Sequence, residues 1–174
     1  MDTKNTILKK IFEKAYADNA DALYRFTLSR VSNKDQAIDI VEDTYVRLWQ
    51  TLQKQKVEEP RALLYRIARN LIIDWYRKSK SISMQTFAGE DTENSEMHMD
   101  MFAGNLVGVD VTLEAKMVIE KIAGLEPIYR EAVYLRYVEE LTPREIAEIL
   151  GESPNVISVR INRGVKLLKS KLHI

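Results

Sequence analysis

Apolar side chains recur at three- and four-residue steps through most of this 174-residue chain, and its only four prolines stand where such runs begin. No stretch alternates apolar and polar residues convincingly, as a half-buried strand requires. Pro60, Pro127, Pro143 and Pro154 read as boundaries that open helices, where the missing N–H has no intrahelical partner to lose. The fold class that follows is all-α. Helical faces are legible at Ile7, Leu8, Ile11, Phe12 and Ala15, within residues 5–16, and again at Ala22, Leu23, Phe26 and Val31, within 19–31. A longer amphipathic helix runs from Asn33 to Gln53 through Ala37, Ile40, Val41, Thr44, Tyr45, Leu48 and Leu52. A fourth opens at Pro60 and is expected to reach about Lys78, with Leu63, Leu64, Ile67, Ala68, Leu71 and Ile72 inward.

The periodicity stops at Ser79 and resumes near Thr112. Ser, Thr, Gly, Met and acidic residues fill the interval, a composition with too little apolar surface to hold itself ordered. Residues 81–111 are therefore expected to form a flexible acidic linker. Met84, Met97, Met99, Met101 and Phe102 exceed what a plain spacer needs, so part of the segment is expected to dock on something. Beyond it, helices are expected near 113–123, 127–138, 143–150 and 154–171. The chain thus divides into two small helical domains, 1–80 and 112–174, the second near the lower size limit for folding alone.

Composition narrows the chemistry. There is no cysteine, so disulfides and thiolate metal sites are excluded, and the two histidines, His98 and His173, lie far apart. No metal and no cofactor is expected. A glycine-rich phosphate loop, a histidine–metal helix and a nucleophile–base set are all missing, so the chain is not expected to be an enzyme. The acidic run Glu90–Asp100 lacks the spacing and glycine of a calcium loop, and its composition favours a linker. No apolar run approaches the roughly 18 residues of a membrane span and no cationic start leads into one. Neither membrane insertion nor a signal peptide is expected, and the cytoplasm is the default location.

The formal net charge of zero hides a strong segregation. Residues 61–80 carry six Lys or Arg against one acid, residues 81–112 carry six acids and no Lys or Arg, and residues 153–174 carry five bases and no acid. Two basic patches separated by an acidic stretch point to two nucleic-acid contacts.

The second patch has a recognisable frame. Thr142, Pro143 and Glu145 form a helix start with cap, first-turn proline and capping-box glutamate. Gly151 follows Ala147 by four residues, and Ser153-Pro154 restarts a helix. Two short helices about a tight turn, the second carrying the positive charge, make a helix-turn-helix of the kind that reads DNA.

With two further motifs, this stretch resembles the bacterial RNA polymerase sigma factors of the extracytoplasmic-function group, within the sigma-70 family. The likeness covers nearly the whole chain. The first motif is Gln36-Ala37-Ile38-Asp39-Ile40-Val41-Glu42-Asp43-Thr44-Tyr45-Val46-Arg47-Leu48-Trp49. In the group this acidic helix binds the clamp helices of the polymerase largest subunit. The spacing agrees, because Asp39, Glu42, Asp43, Val46 and Gln50 share one solvent face with Trp49 beside it as an anchor. The plain alternative is a solvated helix face with a core tryptophan.

The second motif runs Pro60-Arg61-Ala62-Leu63-Leu64-Tyr65-Arg66-Ile67-Ala68-Arg69-Asn70-Leu71-Ile72-Ile73-Asp74-Trp75-Tyr76-Arg77-Lys78. Its likeness to the group implies a reader of the promoter −10 element. Arg66, Arg69, Asn70, Asp74, Arg77 and Lys78 form the polar face: cations for phosphates, Asn70 for a base edge, and Asp74 either orienting Arg77 or accepting from a base amino group. Tyr65, Trp75 and Tyr76 suit stacking on an exposed base, with core packing as the alternative. The loop after Lys78 matches the group's base-capturing loop by position only.

The third motif is the helix-turn-helix. Ile157, Ile161, Val165, Leu168 and Leu172 make an inward stripe, and Asn155, Ser158, Val159, Asn162, Arg163 and Lys166 face outward. The resemblance sends that outer face into the major groove of the −35 element. Arg163 is the candidate for a bidentate guanine contact, Val159 for a thymine methyl, and Asn162 or Ser158 for adenine or a neighbouring edge. Arg160, Lys166 and Lys169 suit phosphates. Members often show Gly-Thr-Val-Lys-Ser-Arg where this chain has Asn155-Val156-Ile157-Ser158-Val159-Arg160, so its sequence preference should differ.

The function implied is a dissociable initiation subunit that recruits core RNA polymerase, reads both promoter elements and assists strand opening. Its partners would be core polymerase and promoter DNA, duplex upstream and single-stranded at the opened element. Members are often held inactive by an anti-sigma factor, and no residue of this chain identifies one. In the group the linker threads the positively charged nucleic-acid channels of the polymerase, and six acids with no Lys or Arg suit that path; the alternative is a plain solubilising tether. The alternative function is a free-standing helix-turn-helix repressor or activator, which would bind paired half-sites as a dimer.

Overall fold

A computed structural model describes residues 3–31, 33–86 and 112–172, and the described residues contain helices and no strands. The elements are α1 (Thr3–Val31), α2 (Lys34–Lys54), α3 (Pro60–Thr86), α4 (Leu113–Ala123), α5 (Pro127–Tyr137), α6 (Pro143–Leu150) and α7 (Pro154–Leu172). The all-α class and the starts at the four prolines agree with the sequence. The apolar run Met97, Met99, Met101 and Phe102 and the acidic run Glu90–Asp100 lie outside the described residues.

Two boundaries differ from expectation. The first two expected helices are one, unbroken from Thr3 to Val31. Asp18 and Asn19 looked like a break, but both are satisfied within the helix. Lys14 Nζ donates to Asp18 at 2.7 Å, and the buried Asn19 amide donates to the Ala15 carbonyl at 2.8 Å. With neither glycine nor proline in the run, nothing ends the helix. The second difference is α3, which continues past Lys78 to Thr86. The serines after Lys78 are weak helix formers but not breakers, and the first glycine comes only at Gly89.

α1, α2 and α3 pack on one another through Leu23, Phe26, Leu48, Leu64, Tyr65 and Ile72, all essentially inaccessible to water. α4 to α7 enclose Ile122, Leu135, Leu141, Ile146 and Ile157. The two groups are in contact, with α3 lying against α6 and joined to α5 and its C-terminal turn by polar side chains. α3 is thus the central element, covered on one side by α1 and α2 and on the other by the C-terminal helices.

The turns follow their local chemistry. Thr142 accepts from the Glu145 amide while the Glu145 carboxylate accepts from the Thr142 amide at 2.7 Å, which completes the expected capping box. Gly151 takes φ 70°, and the amides of Gly151 and Glu152 both donate to the Ala147 carbonyl. That left-handed turn favours glycine and sets the angle between α6 and α7. Gly164 does a different job: a Cβ there would sit 2.5 Å from Val133 Cγ2 and 3.3 Å from Tyr129 Cβ. Its bare backbone is what lets α7 lie directly on α5.

Candidate functional site

α2 presents the expected acidic surface. Asn33 caps the helix by accepting from the Gln36 amide at 3.0 Å. Ala37, Ile40, Thr44, Tyr45, Leu48 and Leu52 turn inward, which leaves Asp39, Glu42, Asp43, Val46 and Gln50 exposed on the opposite side. No ion pair within 4.0 Å engages Asp39, Glu42 or Asp43 among the described residues. Val46 is 54% exposed, an apolar side chain among unpaired charges. Trp49 is half-buried, edge-on to Phe12 at 5.5 Å, so its inner edge is core and its outer edge borders the acidic face. Below it, the Tyr45 hydroxyl is buried with no hydrogen-bond partner, and burial, then neighbouring Tyr16, pushes it up to about 12.

α3 separates the residues expected to act together. Arg66, Asn70, Asp74 and Arg77 form an exposed stripe at three- and four-residue steps, with Lys78 exposed beside its end. Asp74 lies 3.9 Å from Arg77, near enough to orient it. Arg69 departs from the stripe. Its guanidinium grips Glu131 of α5 with two hydrogen bonds, Nε to Oε1 at 2.6 Å and Nη2 to Oε2 at 3.2 Å.

Tyr65 is not available for stacking, contrary to expectation. It is wholly buried, edge-on to Phe26 at 5.0 Å, and its hydroxyl donates to Glu139 Oε2 at 2.7 Å. Tyr65 lies three residues before Ala68 and seven before Ile72, on the inward stripe, so core packing is the alternative that holds; what periodicity could not reveal is its partner Glu139, 74 residues away. Tyr76 donates its hydroxyl to the Arg30 carbonyl, and its ring meets Trp75 edge-on at 4.8 Å. Trp75 and Tyr76 each keep part of their surface open to solvent.

Glu131 and Glu139 were not singled out by sequence, and no local signal marks them. Glu139 is 7% exposed and accepts from Tyr65, while its backbone carbonyl accepts from Arg61. Burial raises the Glu139 carboxyl above the ordinary carboxylate value; hydrogen bonds from Tyr65 and Tyr134 and the charge of Arg30 oppose that rise. The same burial, then the nearby carboxylate, raises the Tyr65 hydroxyl. Arg30 also lies 3.6 Å from the Phe26 ring centre and 4.7 Å from that of Tyr134, bridging α1 and α5.

α7 carries the open face. Ile157 and Ile161 are buried, and Val165 and Leu168 pack half-buried behind them, as expected; the Leu172 side chain is outside the described set. Asn155, Val159, Asn162, Arg163 and Lys166 are exposed. Ser158 is half-exposed, its hydroxyl donating to the Pro154 carbonyl at 2.9 Å, so toward a partner it offers lone pairs first. Arg160 is tied back to Glu152 in the turn at 2.7 Å. Beside this face a depression of about 320 Å³ opens against the start of α5, with almost wholly apolar walls that include Ile128, Val156 and Val159.

Known proteins resemble this chain in sequence and in fold. Residues 15–82 match the family described as Sigma-70 region 2, and residues 115–168 match that described as Sigma-70, region 4. The ECF RNA polymerase sigma factor SigW of Bacillus subtilis (strain 168) is 31% identical, over 95% of this chain and 92% of that one. The RNA polymerase sigma factor SigV of the same organism is 27% identical, over 97% and 95%. Among solved structures, the sigma factor RpoE of Bartonella quintana, in complex with the anti-sigma factor NepR, matches 95% of this chain and 98% of its own at TM-score 0.65 and 23% identity. CnrH, in complex with the cytosolic domain of CnrY, covers 95% and 89% at TM-score 0.60 and 23% identity. At that identity the two structures speak to the fold.

Proposed function

The chain belongs to the extracytoplasmic-function group of RNA polymerase sigma factors, and on that premise we propose which of its surfaces meets which partner. The chain directs core RNA polymerase to promoters, in a family that is not catalytic. In this reading it has no enzymatic activity of its own and works in the cytoplasm; no helix among the described residues is long and apolar enough to cross a membrane. The first unit, expected as 1–80 and extended by α3 to Thr86, binds polymerase and reads the −10 element, residues 112–174 form the −35-reading unit, and the segment between them is the linker.

Asp39, Glu42, Asp43, Val46 and Gln50, with the outer edge of Trp49, hold core polymerase. The observation that carries this assignment is three exposed carboxylates with no ion-pair partner among the described residues, set around an exposed valine. Charges without internal partners keep their full attraction for a basic partner and steer its approach. Arg66, Asn70, Asp74, Arg77 and Lys78 engage the −10 element, joined by Arg69 once Glu131 releases it. Asn155, Ser158, Val159, Asn162, Arg163 and Lys166 enter the major groove at the −35 element, and Arg160 supports them from the turn.

This division requires the molecule to open. The two elements lie about 25 base pairs apart, which at about 3.4 Å per base pair is about 85 Å of duplex. A compact chain of this size is only about 40 Å across. The contacts of α3 with α5 and α6 therefore belong to the state before promoter engagement. An anti-sigma factor, such as the NepR bound to RpoE, would bind over the same surfaces.

Promoter-dependent transcription with purified core polymerase is the test. This chain should confer it, and DNA binding without core should be weak. Asp43→Arg should abolish core binding at an unchanged melting temperature, because the residue is exposed and unpaired. Tight dimeric binding to a palindrome, indifferent to core polymerase, would overturn the assignment in favour of a free-standing regulator.

A further inference from the structure

The reading surface of the C-terminal unit extends beyond α7 onto α5. Gly164 brings the two helices into backbone contact, and this places the first turn of α5 alongside the first two turns of α7. Ile128, Val156 and Val159 meet there, and each is open to water: 49%, 38% and 48% exposed. They wall the depression beside the reading helix, whose rim carries Arg160 and Arg163. Arg163 makes no hydrogen bond or ion pair among the described residues, whereas Arg160 is held by Glu152.

We propose that Ile128 is a specificity-determining residue for the upstream promoter element, forming with Val156 and Val159 an apolar shelf that receives thymine 5-methyl groups in the major groove. It rests on the reading of α7 as the −35 reader and extends it to a residue outside the helix-turn-helix. The occupant follows from charge and shape. Val156 and Val159 of the shelf belong to α7, a helix of five bases and no acids, and Arg160 and Arg163 line the same depression, so the partner that approaches it is polyanionic. Within a DNA major groove the apolar feature on a base edge is the thymine methyl. An aliphatic shelf beside a free arginine therefore favours sites with thymine next to guanine, the arginine taking guanine O6 and N7. The same apolar surface gives nothing to cytosine, whose edge at this depth is an amino donor without the methyl. The substitution of Ser158 and Val159 for the Lys and Ser common in the group thus exchanges polar readout for methyl readout.

Holoenzyme reconstituted from the full chain and core polymerase tests this directly. A promoter is first selected from a library randomised upstream, and each thymine of the selected element is then replaced by deoxyuridine, which removes the methyl and leaves the hydrogen-bonding edge intact. One or two replacements should weaken open-complex formation about fourfold each, the effect of exposing one methyl-sized group. Replacing cytosine by 5-methylcytosine at those positions should recover part of what a thymine-to-cytosine change loses. Ile128→Ala and Val159→Ala should each erase the thymine–deoxyuridine difference while retaining discrimination at the guanine read by Arg163. Because the first comparison changes only the DNA, it stands whether or not a variant folds. Deoxyuridine silent at every position in an element that still matters would overturn the methyl shelf and leave α7 as the reader. A difference that persists undiminished in Ile128→Ala would remove Ile128 from it. An upstream element that can be scrambled without effect would instead overturn the assignment of α7 itself.

Discussion

α3 and α7 are both basic helices, and both were expected to face DNA, but the fold treats them differently. α7 packs on one side only: Ile157 and Ile161 are buried against α5 and α6, and Arg163, Asn162 and Lys166 stand in solvent. α3 is covered from two directions. Its Tyr65 bonds Glu139, its Arg69 grips Glu131, and its Arg61 reaches the Glu139 carbonyl. The surface proposed to read the upstream element is open in this arrangement, and the one proposed to read the downstream element is partly engaged with the protein itself. Similar residue composition therefore gives one surface whose availability is constant and one whose availability depends on how the two helical groups are arranged.

The largest expected effect breaks that comparison at its centre. Tyr65→Ala removes a fully buried ring that packs on Phe26 and should cost about 3–5 kcal/mol of stability. Thermal unfolding measures it; a loss near that of a surface substitution would mean that Tyr65 is not buried between Phe26 and the C-terminal helices in solution. Next, Arg163→Ala should weaken binding to the preferred upstream element by about 1–3 kcal/mol and relax preference at one base pair, with the melting temperature unchanged. Equal loss on every sequence would reduce Arg163 to a phosphate contact.

Glu131→Ala sharpens the contrast from the other side. The Arg69–Glu131 pair is bidentate and largely shielded, with the two side chains 13% and 24% exposed, so its loss should loosen the packed arrangement by about 1 kcal/mol. Intramolecular distances read by paired fluorophores on α2 and α7 should lengthen, and −10 strand binding without core should rise. Unchanged distances would place the hold elsewhere.

The smallest effect concerns pH. Glu139 has a raised pKa in the packed state, so that state binds its proton more tightly than an unpacked one. This contribution is full below the ordinary carboxylate value of 4.5 and is lost as pH rises through the raised value. Glu139→Gln keeps an acceptor for Tyr65 and removes the ionisation, so packing in the variant should lack this part of the pH dependence and be at least as tight near neutrality. A variant and parent with identical pH profiles would mean that Glu139 ionises freely, hence that it is not buried against Tyr65.

Much of the candidate site was legible in advance because its determinants are local. The exposed faces of α2 and α7 follow from helical periodicity, which fixes which side chains oppose the apolar stripe. Pro143, Glu145, Gly151 and Pro154 mark the turn geometry by their own backbone chemistry. The misplaced boundaries have local causes too, though weaker ones: Asn19 bonds its own helix, and the residues after Lys78 lack a stop before Gly89. Polar composition alone distinguishes poorly between a helix surface and a loop.

The residues that escaped notice depend on partners far away in the chain. Glu131 and Glu139 look like ordinary surface acids until α3 is laid beside them, 62 and 74 residues removed. Ile128 looks like a helix-start residue until Gly164 lets α7 close against it. By itself, then, the sequence determined the helices, their buried stripes, the polarity of each outer face and the family they indicate, since these depend on spacing and on residues within a turn or two. Only the tertiary structure decided which outer faces remain outer: Arg69 turned inward, while Arg163 and Ile128 stayed in solvent. Burial is a property of what packs on top, and that is set by contacts between segments whose separation along the chain carries no periodic signal.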